Sequence, residues 1–87
     1  MISIYNSNIN KGNAEYAAKQ FNEAVHSYTK AIALATGPQF QSVYYTNRAA
    51  AFAGLSQWDK SLSDAISSTQ VNPSWVKVFL SFPSHLH

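Results

Sequence analysis

Eighty-seven residues set the scale of one small domain, because a chain of this length buries only about 60% of its unfolded surface and has no material for two cores. Charged residues make up 11% against 46% apolar, and the six cations (Lys11, Lys19, Lys30, Arg48, Lys60, Lys77) are scattered against four carboxylates for a net charge of +2, a poor nucleic-acid footprint. No run approaches the roughly 20 apolar residues of a membrane span, and the absence of cysteine removes disulfides, thiol nucleophiles and cysteine-ligated zinc.

Taken in chain order, apolar and small residues recur three and four apart, the spacing of one helix face. The first helix is expected over 4–19, and it carries Gly12, Asn13 and Tyr16. The second, over 22–35, shows the pattern at Phe21, Ala24, Val25, Tyr28, Ala31 and Ile32, with Asn22 as its N-cap. Thr36-Gly37-Pro38 reads as a break, after which a third helix is expected over 41–55. A fourth is expected over 59–71, capped by Asp59, whose charge also suits a helix N-terminus, and ended by Asn72-Pro73. Beyond it, Ser74 to Phe82 has the apolar content of one more short helix, stopped by Pro83.

The helices repeat in pairs. Gly12 matches Ala49, Phe21 matches Trp58, Ala24 matches Ser61 and Ala31 matches Ser68, each 37 residues apart. Short side chains at Gly12, Ala24, Ala31, Ala49 and Ser61 let antiparallel helices approach closely, with Phe21 and Trp58 expected to fill the space beside each turn. On these residues the chain resembles the tetratricopeptide repeats, whose period is about 34 residues. The resemblance covers roughly Ile9 to Lys77 and implies an all-α stack of helix-turn-helix repeats, a right-handed α-solenoid. It implies one domain over 1–87, with repeat one at about 5–38, repeat two at about 42–75, and a truncated terminal helix and tail over 76–87.

A subset of that family is more specific. Asn13 after glycine, the run Thr46-Asn47-Arg48-Ala49-Ala50, and Asn72-Pro73-Ser74-Trp75-Val76-Lys77 are similar to the co-chaperone repeats that clamp the carboxyl-terminal tails of heat-shock chaperones. The resemblance implies a peptide groove in which Asn13, Asn47 and Lys77 grip a carboxylate by charge-assisted hydrogen bonds, with Tyr16 and Ala50 on its floor. Two of that family's basic positions fall here on Ile9 and Ser81, which implies weak binding. Lys11 is no substitute, because two helical residues rotate it by about 200° from Asn13. The plainer reading leaves Asn13 and Asn47 as solvated helix residues and Arg48 paired with a carboxylate.

Neither a phosphate loop nor a serine elbow nor a metal-spaced histidine pair is present, and Glu15, Glu23, Asp59 and Asp64 show no convergence, so no enzyme and no cofactor are expected. His26 reads as an exposed helix residue, and His85 and His87 lack a third ligand. The function expected is a cytoplasmic protein-interaction adaptor for an acidic tail, with neither nucleic acid nor membrane as a partner. The alternative is a structural protein that self-associates through the apolar residues of 76–82.

Overall fold

The computed structural model describes residues 6–72, so Lys77, Ser81, the expected terminal helix and the His85/His87 pair lie outside the described residues. Four helices follow one another: α1 (Ser7–Ala17), α2 (Phe21–Ala33), α3 (Pro38–Gly54) and α4 (Trp58–Val71). Each packs on its neighbour in sequence, α1 on α2, α2 on α3 and α3 on α4, which is the stacking that the duplicated pattern requires.

The two tight turns are copies of one another. α1 is C-capped by Ala18, after which Lys19 adopts the left-handed conformation (φ 62°), its N–H donating to the Tyr16 carbonyl at 2.9 Å and that of Gln20 to Glu15 at 2.8 Å. α3 is C-capped by Leu55, and the N–H groups of Ser56 (φ 58°) and Gln57 donate to the Ala53 and Phe52 carbonyls, each at 2.9 Å. This paired hydrogen-bond pattern satisfies the last carbonyls of the helix and reverses the chain within three residues.

The same geometry corrects the expected N-caps. Gln20 and Gln57 hold the cap positions and make no side-chain cap bond, while Asn22 and Asp59 lie one residue past the helix start. The carbonyl-satisfying turn leaves too few residues for a separate capping asparagine or aspartate; Asp59 keeps only its favourable charge in the first turn. Pro38 is corrected as well. It opens α3 as its first residue, where its missing N–H costs nothing, behind an extended Gly37. Asn6 caps α1, accepting from the Asn8 N–H at 3.2 Å, and its Nδ2 donates to the Ala31 carbonyl at 3.0 Å, tying the start of α1 to the end of α2.

The apolar core sits in the first pair and its contact with α3. Ala24, Tyr28 and Ala51 form it, with Ile9 and Val25 packed on its edge. Gly12 is needed there: a Cβ would lie 2.6 Å from the Tyr28 ring. Gly54 plays the same part beneath Phe21, with 2.7 Å to the nearest ring carbon. Phe21 thus fills the space beside its turn as expected, whereas Trp58 is 64% exposed. Phe21 has the next repeat's α3 over it, and no described helix occupies that place over Trp58.

The α3–α4 contact is joined by polar groups. Ser42 and Ser68 are both buried, their hydroxyls 2.8 Å apart and each donating within reach of the other's carbonyl at 3.0 Å. Thr46 joins them at 2.9 Å, and Ser61 donates to the Ala49 carbonyl at 2.8 Å.

Candidate functional site

The first helices of the two pairs, α1 and α3, bring Asn13 and Asn47 together. The Asn47 Nδ2 approaches the Asn13 Oδ1 at 3.5 Å, and the same Oδ1 accepts a far shorter bond, 2.6 Å, from the Tyr28 hydroxyl. Tyr28 is 2% exposed, and burial, then Tyr16 and Glu15, push its phenol up to about 12. A phenol so held stays protonated and donates. With Oδ1 committed to Tyr28, the group Asn13 can offer a ligand is its Nδ2, a donor. Two amide donors side by side suit an acceptor such as a carboxylate.

The remaining expected site residues divide. Tyr16 lies three residues along α1 from Asn13, is 40% exposed and meets Phe21 edge-on at 5.5 Å. Ala50 lies three residues along α3 from Asn47 and is half-buried. Lys77 falls outside the described residues. Ile9, at the position where the resemblance places a lysine, is half-buried against the core cluster. Its side chain packs where a cation would have to reach past.

Two cations near the site are spoken for. Lys11 pairs with Glu15 at 2.6 Å, and Glu15 also accepts from Ser27 of α2 at 2.7 Å. The Lys11 and then the Ser27 hydrogen bonds hold the Glu15 carboxyl below its ordinary range. Arg48 follows Asn47 in sequence but is bidentate on Asp64 of α4, at 2.7 and 2.8 Å, and gives a third bond to Thr29 of α2 at 3.0 Å. Its guanidinium lies 5.5 Å from the Tyr45 ring and 5.7 Å from the Phe52 ring. The Asp64 hydrogen bond raises its already high pKa. Arg48 is therefore a strut linking three helices. Among the described residues no group of three His, Asp or Glu side chains is placed to hold a metal ion, and no helix is long and apolar enough to cross a membrane.

Comparison with known proteins finds relatives over most of the chain. The chain is 40% identical over 67 residues to "Hsp70-Hsp90 organizing protein 2" of Arabidopsis thaliana, a match that covers 77% of this chain and 11% of that protein. It is 37% identical over 70 residues to human "Mitochondrial import receptor subunit TOM70", covering 78% of this chain and 12% of that one. It is also 36% identical over 69 residues to "Small glutamine-rich tetratricopeptide repeat-containing protein 2" of Mycosarcoma maydis, covering 79% and 19%. This chain is a tetratricopeptide-repeat helix stack. It resembles the repeats of Hsp70–Hsp90 organising proteins and spans between a tenth and a fifth of the length of these relatives. No family model matches it, and no solved structure does so significantly.

Tyr28, expected only as a residue of the repeat pattern, also has a place at the site. Its ring closes the core of the first pair and its hydroxyl orients a groove asparagine from behind. The signal was present, since a tyrosine on an otherwise apolar helix face needs a partner for its hydroxyl.

Proposed function

We propose that the chain is a protein-interaction module whose α1–α3 face receives the extended carboxyl-terminal tail of another protein, and that this partner is a heat-shock chaperone. The observation that carries the reading is the pairing of Asn13 and Asn47, with Oδ1 of Asn13 occupied by Tyr28 so that amide donors are left for a carboxylate. Asn13 and Asn47 bind the terminal carboxylate, Tyr16 and Ala50 bound the floor beside it, and Lys77 adds a cation. Similarity to an Hsp70–Hsp90 organising protein supports the choice of partner, and a cytoplasmic setting goes with it. The module works without catalysis. Binding is weak, because Ile9 and Ser81 stand where the resembled clamp has cations, and hydrogen bonds to charged groups are worth about 1.5–3 kcal/mol each.

Calorimetric titration with a peptide ending Glu-Glu-Val-Asp, beside the same peptide amidated at its carboxyl terminus, tests this. Binding of the free acid, loss of about tenfold or more with the amide, and a similar loss in Asn13→Ala and in Asn47→Ala are expected. Equal binding of acid and amide, with both asparagine variants silent, rules the clamp out. Ile9→Lys should raise affinity while lowering stability, since it removes a side chain that leans on Ala24, Tyr28 and Ala51.

A further inference from the structure

Residues three and four apart stand side by side on a helix, with about 5–6 Å between their Cβ atoms. On α1 the neighbours of Asn13 at that spacing include Ile9 and Tyr16, and on α3 those of Asn47 include Val43 and Ala50. None of the four is charged. Ile9, Val43 and Ala50 are half-buried and Tyr16 is 40% exposed, its ring edge-on to Phe21 at 5.5 Å, so each keeps surface that a ligand can cover. α1 and α3 contain one cation each, and both are committed elsewhere, Lys11 to Glu15 at 2.6 Å and Arg48 to Asp64 at 2.7 Å.

Resting on the reading of the Asn13–Asn47 groove as a carboxylate site, we propose that it selects tails whose last residue is apolar, such as leucine, over tails that end in aspartate. The side chain of a tail's last residue branches from the carbon that bears the terminal carboxylate. With that carboxylate on the Asn13 and Asn47 amides, the side chain falls within a helical turn of them, beside Ile9 and Val43 in one direction or Tyr16 and Ala50 in the other. An aspartate in either place gives up water and finds no cation of α1 or α3 in return. A leucine takes apolar surface out of water on both molecules. The asparagine amides serve the main-chain carboxylate of both tails alike, so the last side chain decides between them. A tail ending in aspartate is held by its main-chain carboxylate alone.

Fluorescence titration of the full chain with peptides that share one sequence and differ only in a last leucine, asparagine or aspartate, each as free acid and as amide, tests this. The leucine acid should bind about tenfold tighter than the aspartate acid, with asparagine, neutral and of aspartate's shape, between them, and added salt should leave the order unchanged. Val43→Lys should bring the aspartate acid level with the leucine acid, because it sets a cation one turn from Asn47. The comparison among peptides uses the unaltered chain, so it decides the matter even where Val43→Lys fails to fold. Aspartate equal to or tighter than leucine, with each acid still outbinding its amide, overturns the proposal and leaves the carboxylate reading in place. Loss of that aspartate preference in Lys77→Ala would assign the last side chain to the lysine instead. Acids and amides that bind alike overturn both.

Discussion

α2 and α4 hold the same place in their respective repeats, 37 residues apart, and differ in how deeply they are enclosed. α2 lies between α1 and α3, and its Ala24, Tyr28 and Ala31 are at most 2% exposed. The matching α4 positions are Ser61, Ala65 and Ser68: the two serines give their hydroxyls to α3, and Ala65 faces outward. Val25 is half-buried, whereas its counterpart Leu62 is 62% exposed. Identical turns and matching periodicity fix where a helix lies. What its outer residues do for stability depends on whether a second helix reaches them.

The sharpest way to break this comparison is to truncate one aromatic side chain on each of the two helices in dilute solution. Tyr28→Ala should lower unfolding free energy by about 3–5 kcal/mol, and Trp58→Ala by under about 1 kcal/mol, read from urea midpoints. Comparable losses would show that α4 is as enclosed as α2. Tyr28→Phe refines the test by keeping the ring and removing the bond to Asn13; it should cost about 1 kcal/mol and loosen peptide binding with the fold intact.

Next in size is the strut. Arg48→Met leaves Asp64, 4% exposed, without its partner, and should cost about 3 kcal/mol. Arg48→Met with Asp64→Leu should recover most of that loss, because the expense lies in an uncompensated buried charge. A double variant no better than the single would assign the effect to packing.

A smaller effect separates the repeats by acid titration. Glu15 is held below its ordinary value of 4.5 by hydrogen bonds from Lys11 and then Ser27, and its counterpart in the second repeat is Phe52, which does not titrate. The unfolded chain therefore takes up the Glu15 proton first as pH falls. The stability contributed by the carboxylate is complete above about pH 5 and is lost as pH drops through the folded-state value. Glu15→Gln should flatten urea midpoints over that acid range; an unchanged slope would show that the bonds to Lys11 and Ser27 contribute nothing.

The smallest effect should be equal in both repeats. Lys19→Gly and Ser56→Gly relieve the same left-handed conformation, and each should add about 0.5–1 kcal/mol. Unequal gains would mean that the turns differ in more than sequence.

The helices and their pairing were legible because spacing of three and four survives any change of side chain at a single position. The meeting of Asn13 and Asn47 was legible only through the resemblance to the co-chaperone repeats, since the two are 34 residues apart and do not match in the 37-residue register, which pairs Asn13 with Ala50. The caps were not, because Asn22 and Asp59 look like capping residues and only the backbone path through Lys19 and Ser56 reveals that the helix has already begun. Trp58 misled because a large aromatic side chain says that it can be buried and says nothing of what is present to bury it. Arg48 was half legible: a carboxylate partner was foreseen, but Asp64 is 16 residues away and only the fold selects it.

The hydroxyls of Ser42, Thr46 and Ser68 bear on how the protein responds to temperature. Exposing apolar surface raises the heat capacity on unfolding, and exposing polar surface lowers it. Parting α3 from α4 at this seam uncovers serine and threonine oxygens, while opening the first pair uncovers Tyr28, Ala24 and Ala31. Attraction between apolar groups weakens on cooling, so the first pair loses more of its advantage in the cold than the hydroxyl-sealed seam does. The second repeat should accordingly show the flatter stability curve of the two, which hydrogen exchange at low and moderate temperature would read.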